Sequence, residues 1–138
     1  MDMSKVPFFT EANSEADLKL IDDIARSMSS SVHHADAAHR RRLHIAGVFT
    51  SNFTVALLEM AQKVLQDAGY PLEVVWPLMV ETIEKAFKIG PYNAMTGPAL
   101  RGDSKVLSHQ SESLDGQLKE AYDVLTEYII KNHKVELK

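Results

Sequence analysis

Residues 36–69 read DAAHRRRLHIAGVFTSNFTVALLEMAQKVLQDAG. Asp36 is a helix-capping residue, and no proline lies between it and Gly69. Gly47 is the one breaker inside the stretch. Gly69-Tyr70-Pro71 closes it, with glycine past the end and proline at the first turn of the next helix. The pattern predicts one helix of about 33 residues, roughly 50 Å long at 1.5 Å per residue. Its middle, Leu43 to Leu58, is apolar or small on nearly every side, through Ile45, Ala46, Val48, Phe49, Phe53, Val55, Ala56 and Leu57. A helix apolar all round has to be covered all round. A chain of 138 residues has few other elements for that. Part of the cover is therefore expected from a second subunit or from a domain outside this chain.

Upstream, Val6-Pro7-Phe8-Phe9-Thr10 has strand composition, with proline at the strand start. Ser14 followed by Asp17 marks a helix start, and Leu18, Ile21, Ala25 and Met28 follow at helical spacing. Ser29-Ser30-Ser31 breaks that pattern, and Val32-His33-His34 reads as a second short strand. Residues 6–34 are thus β-α-β. Two strands and one helix cannot cover both faces of a sheet, so this segment reads as the end of an α/β layer whose other strands are absent.

Downstream, Leu72 to Ile89 is helical, with Pro77 expected to kink or divide it. Gly90-Pro91 ends that helix, and residues 91–103 read as one breaker-rich loop. Asp103 or Ser104 caps a short helix to about Leu114. Asp115 caps a last helix carrying Leu118, Ala121, Leu125 and Tyr128 on one face. The tail from Lys131 is expected to fray.

Composition sets the outer bounds. Hydrophobic residues make up 45% and charged residues 25%, which is ordinary for a globular chain. Fifteen basic residues against 19 acidic ones give a net charge of −4, so no nucleic-acid partner is expected. The absence of cysteine excludes disulfides, thiolate metal sites and a cysteine nucleophile. No uninterrupted apolar run reaches the roughly 18 residues of a membrane span, and no signal core follows Met1. The expectation is a cytoplasmic protein without a membrane partner. No Gly-x-Gly-x-x-Gly turn, P-loop or Gly-x-Ser-x-Gly elbow is present, so this chain alone is expected to hold no cofactor.

Chemistry-bearing residues are few. His34, His39 and His44 are five positions apart, whereas helical metal ligands stand three or four apart, and carboxylates look scarce around them. No metal site is expected. Arg40-Arg41-Arg42 is the one basic run. Its members point in different directions on a helix, as a solvated entrance or as an anion contact for whichever faces inward. His44 and Asn52 are polar interruptions in the most apolar stretch, eight positions apart, with Ser51 nearly in line with His44. That spacing suits two groups touching different parts of one ligand; the alternative is a pair of satisfied core polar residues. Thr96-Gly97-Pro98 and Arg101-Gly102-Asp103 form the best loop candidate, with Arg101 able to grip a carboxylate or phosphate. The alternative there is a plain connection with Asp103 as a cap.

Three segments together carry a resemblance: Pro7-Phe8-Phe9-Thr10-Glu11-Ala12-Asn13, Arg41 through Phe53, and Thr96 through Asp103. In this order they resemble the C-terminal half of the Rossmann-like DUF2520 proteins, similar in architecture to pyrroline-5-carboxylate reductase and the 6-phosphogluconate dehydrogenase C-terminal-domain superfamily. The resemblance implies a mainly α fold with a long central helix in a helical bundle (residues 35–138), preceded by the residual β-α-β of a Rossmann-like domain (residues 1–34). It implies a dinucleotide-binding domain outside this chain, holding NAD or NADP. This chain would then be the substrate-binding and dimerisation half of an oxidoreductase, acting on a small carbonyl or imine and inactive by itself. His44 and Asn52 would be catalytic, and Ser51, Thr96, Gly97, Pro98 and Arg101 would contact a small-molecule substrate. The alternative is a helical dimerisation or interaction module without a catalytic role.

Overall fold

The computed structural model describes residues 2–138. They fall into two compact units, the first ending at Leu58 and the second running from Glu59 to Lys138.

The first unit opens with a 3-10 turn, Met3–Lys5, and then the expected β-α-β: β1 (Phe8–Thr10), α1 (Glu15–Met28) and β2 (Val32–His34). The strands pair in parallel, Phe8 opposite Val32 and Thr10 opposite His34. Ser14 caps α1, its side-chain oxygen accepting from the Asp17 amide. Ala25, buried on α1, is small enough to bring the helix close to the strands. Thr10, also buried, donates its hydroxyl to Asp22 of α1 at 2.7 Å, tying strand to crossover helix.

Asp36 starts α2 (Ala37–Thr50) as expected, accepting from the Ala38 and His39 amides. The single long helix is not continuous. It is interrupted at Ser51, whose φ and ψ are −116° and −75°, and resumes as α3 (Asn52–Asp67). The cause is legible in the hydroxyls on either side. Thr50 donates back to the Ala46 carbonyl at 3.0 Å and Thr54 to the Thr50 carbonyl at 3.2 Å. Such back-bonding competes with the helical ladder and bends it.

In the second unit Leu72–Val75 forms a 3-10 turn, and α4 (Trp76–Ile89) starts with Pro77 in its first turn, so the proline divides this stretch as expected. The expected loop at residues 91–103 instead holds two one-turn helices, α5 (Pro91–Ala94) and α6 (Pro98–Arg101). Each begins on a proline, which at the first helical position gives up no needed N–H. Asp103 caps α7 (Ser104–Glu112), and α8 runs Gly116–His133. The expected fraying from Lys131 is overturned. Beyond α8 the chain returns to α6: the Lys138 amide donates to the Gly102 carbonyl at 2.8 Å, and Ser104 donates its hydroxyl to the Lys138 carbonyl. His133 also stacks on Tyr92, ring centroids 4.1 Å apart.

Burial is thin. The buried apolar residues are Ala25, Ala35, Ala99 and Leu107, whereas Phe49 is 63% exposed, Val55 64% and Phe87 90%. The stretch Ala37–Asp67 is also, by length and composition, long and apolar enough to cross a membrane, with mean hydropathy 1.3 over its best window, none of it buried. This corrects the expectation that no segment approaches that length. Uncharged Gly47, Thr50, Ser51, Asn52 and Thr54 break the run to the eye, and the Ile, Val, Leu and Phe residues around them keep the mean at 1.3.

Candidate functional site

His44 sits on α2, exposed, on the border of a cavity of about 540 Å³ with Ala37, Arg40, Arg41 and Ile45. Ser51 and Asn52 are exposed at the interruption between α2 and α3. None of the three is a buried core group in this chain, so the reading of His44 and Asn52 as satisfied core polar residues does not describe them.

Thr96, Gly97, Pro98 and Arg101 lie in the second unit. Thr96 and Arg101 are exposed, Gly97 and Pro98 half-buried. Gly97, at φ 107°, precedes α6, and Gly102, at φ 69°, ends it. The Asp103 amide bonds back to the Pro98 carbonyl at 3.1 Å and the Gly102 amide to the Ala99 carbonyl at 3.3 Å. This is the glycine-terminated end that satisfies last-turn carbonyls. The site candidates therefore come from two compact units, three on the α2–α3 helix and four at or just before α6.

The histidines and arginines are arranged more closely than their spacing suggests. His34 meets the Asp22 carboxylate at 2.7 Å, and His39 meets Asp36 at 2.8 Å. Carboxylates are thus not scarce around them. The His34 and Thr10 hydrogen bonds hold the Asp22 carboxyl below its ordinary value of 3.8. The His39 amide and ring do the same for Asp36. Arg40 donates to the Ala35 carbonyl at 2.8 Å and pairs with Glu11, so this arginine fastens α2 to the strand ends. Among the described residues no three His, Cys, Asp or Glu side chains come together as a metal-holding group. Sequence reasoning missed the setting of His33 and His34. The available signal was their place directly at the carboxyl end of a parallel strand, the edge where ligands bind in α/β sheets.

A depressed carboxylate stabilises the folded state above its ordinary pKa, and that contribution is lost as pH falls through the lowered folded value. The contribution of Asp22 to the first unit's stability is therefore expected to be fully present from neutrality down to the ordinary carboxylate value of 3.8 and to fade below it. Asp22→Asn is expected to be less stable at neutral pH and to flatten this acid loss. Urea unfolding across pH, followed on both proteins, checks it; parallel pH profiles would rule it out.

A dinucleotide does not fit the residues present. A pyrophosphate needs free backbone amides at a helix N-terminus behind a strand, reached through a glycine-rich turn. Here the Asp17 amide of α1 is engaged by Ser14 and the Ala38 and His39 amides of α2 by Asp36, and residues 11–14, Glu11-Ala12-Asn13-Ser14, contain no glycine.

Comparison with known proteins bears on this arrangement. The family described as "Domain of unknown function (DUF2520)" matches residues 6–129. A solved structure from Bacteroides fragilis, described as a "putative NADP oxidoreductase", superposes with a TM-score of 0.87 at 35% identity, over 98% of this chain and 52% of that one. A Thermotoga maritima protein superposes with a TM-score of 0.80 at 23% identity, over 96% of this chain and 55% of that one, and shows the shared fold. The chain thus spans about half the length of both. No curated protein matches it at a significant level.

Proposed function

The chain belongs to the DUF2520 family, and on that premise we propose that it is the substrate-binding and dimerisation half of an NAD(P)-dependent oxidoreductase. The observation that carries the reading is the likeness to the Bacteroides fragilis protein over 98% of this chain and only 52% of that one. In this reading the dinucleotide is held by a domain outside the chain, in keeping with the engaged amides at the starts of α1 and α2. The work of this chain is to bind and orient a small carbonyl or imine substrate in the cytoplasm.

His44 or Asn52 is the group for the reacting atom, and the other touches a different part of the same ligand. An imidazole can donate a hydrogen bond to a carbonyl oxygen or imine nitrogen, or give up a proton to it, and an amide N–H can donate in its place. Arg41, on the same cavity border as His44, supplies positive charge where the substrate would gain negative charge. Ser51, beside Asn52, would contact another part of the substrate; in the second unit, taken by itself, the turn Thr96, Gly97, Pro98 and Arg101 offers a guanidinium for a carboxylate or phosphate. The exposed α2–α3 helix is read as a subunit interface, not a membrane span, because its middle carries the polar side chains His44 and Asn52, which are costly in hydrocarbon.

The test uses a protein carrying both halves. At least one of His44→Ala and Asn52→Ala is expected to lower kcat roughly a hundredfold for the carbonyl or imine substrate, with a smaller change in KM. Turnover and substrate affinity unchanged in both variants would sink the catalytic reading. The module without chemistry would then stand.

A further inference from the structure

The three consecutive arginines part company in the structure. Arg40 is consumed by Glu11 and the Ala35 carbonyl, and Arg41 faces the His44 cavity. Arg42 borders a different cavity, of about 380 Å³, with Phe9, His33, His34, His39, Leu43 and Ala46. The two cavities share no lining residue.

This second cavity has the makings of an anion site. Its lining contains no carboxylate residue, and Arg42 forms no ion pair among the described residues. The nearby acids are already committed, Asp22 to His34 and Asp36 to His39. Asp36 takes His39 by Nδ1, which leaves Nε2 as that ring's open edge. The rest of the lining suits a flat apolar body. Phe9 and His33, neighbours across the parallel strands, stack with centroids 5.5 Å apart at 26°, and Leu43 and Ala46 add an aliphatic side. The volume lies within the usual range for small-molecule sites, and the lining runs from mid-strand Phe9 and His33 to His34 and Ala35 at the carboxyl end of β2.

We propose that this cavity binds a phosphate monoester carried on a flat ring, with the phosphate on Arg42 and His39 and the ring against Phe9 and His33. A guanidinium presents paired N–H donors that match phosphate oxygens, and the imidazolium form of His39, with its Nδ1–H given to Asp36, adds a third donor at Nε2. The site stands apart from the His44 cavity and does not depend on the oxidoreductase reading.

The probe is phenyl phosphate, titrated into the full chain by calorimetry and by NMR of the histidine rings. Saturable binding is expected, with the His33 and His39 ring resonances moving together. Phenol, lacking the charge, and inorganic phosphate, lacking the ring, are each expected to bind at least about tenfold more weakly. Arg42→Ala should weaken phenyl phosphate roughly tenfold or more, the worth of a charge-assisted hydrogen-bonding group, while Arg41→Ala leaves it unchanged. Both arginines are exposed, so neither substitution threatens the fold. Equal losses in the two variants would reduce the effect to general charge and overturn the proposal. So would phosphate binding as well as its phenyl ester, or histidine rings that do not respond.

Discussion

Replacing Gly102 by alanine is expected to unfasten the carboxy-terminal tail and to destabilise the second unit. Gly102 sits at φ 69°, a conformation that costs a side-chain-bearing residue about 1–3 kcal/mol when enforced. Strain is the smaller part. A Cβ at this position would run into the backbone carbonyl oxygen of Glu136 and stand 3.2 Å from the Val135 side chain. A backbone carbonyl has no rotamer to escape into, so either α6 or the tail must move. If the tail moves, the bond from the Lys138 amide to Gly102 and that from the Ser104 hydroxyl to Lys138 are lost with it. Gly116 supplies the control, with φ 51° and open space around its α-carbon. Gly116→Ala should show the conformational cost alone. Urea midpoints for both variants, together with hydrogen exchange at the Lys138 amide, read the difference. A Gly102→Ala protein with the parent midpoint and a protected Lys138 amide would refute the tail clamp.

That clamp also marks where the sequence stops being informative. Local signals were readable because their physics is local. Ser14, Asp36 and Asp103 announce helix starts by side-chain capping, and Pro77 announces a division by what its ring forbids. The β-α-β was readable for the same reason. The docking of residues 135–138 on Gly102 was not, since it depends on a fit between segments more than thirty positions apart and leaves no periodic trace. The break at Ser51 had a signal, three hydroxyl residues among Thr50, Ser51 and Thr54. The apolar run on either side outweighs that signal in the sequence pattern. At the candidate site, residue types were legible and grouping was not. The run Arg40-Arg41-Arg42 looks uniform in sequence, and only the fold puts its members in three different settings.

The isolated chain is expected to form a two-fold dimer through the helical part. The reason is the apolar surface left uncovered. Phe49 and Phe53 pack edge to face on each other, ring centroids 5.1 Å apart, yet remain 63% and 48% exposed. Val55 and Leu57 continue the same exposed stretch at 64% and 46%. Soluble monomers tolerate contiguous apolar patches of only a few hundred Å². A two-fold axis buries one such patch against its own copy, so each covered residue counts twice. At about 1.5–3 kcal/mol for each large apolar side chain fully buried, a handful of these residues offsets the entropy of association. The competing account gives the cover to a domain outside the chain, and it predicts a different behaviour: open-ended sticking with no defined stoichiometry. Phe49→Glu with Phe53→Glu places two like charges in the middle of the patch, and should weaken a specific dimer by roughly a hundredfold or more. Sedimentation equilibrium at micromolar concentration separates the cases. A dimer that the double variant converts to monomer supports the two-fold interface. A parent that is already monomeric ends the claim, and aggregation without limit transfers the apolar face to the absent domain.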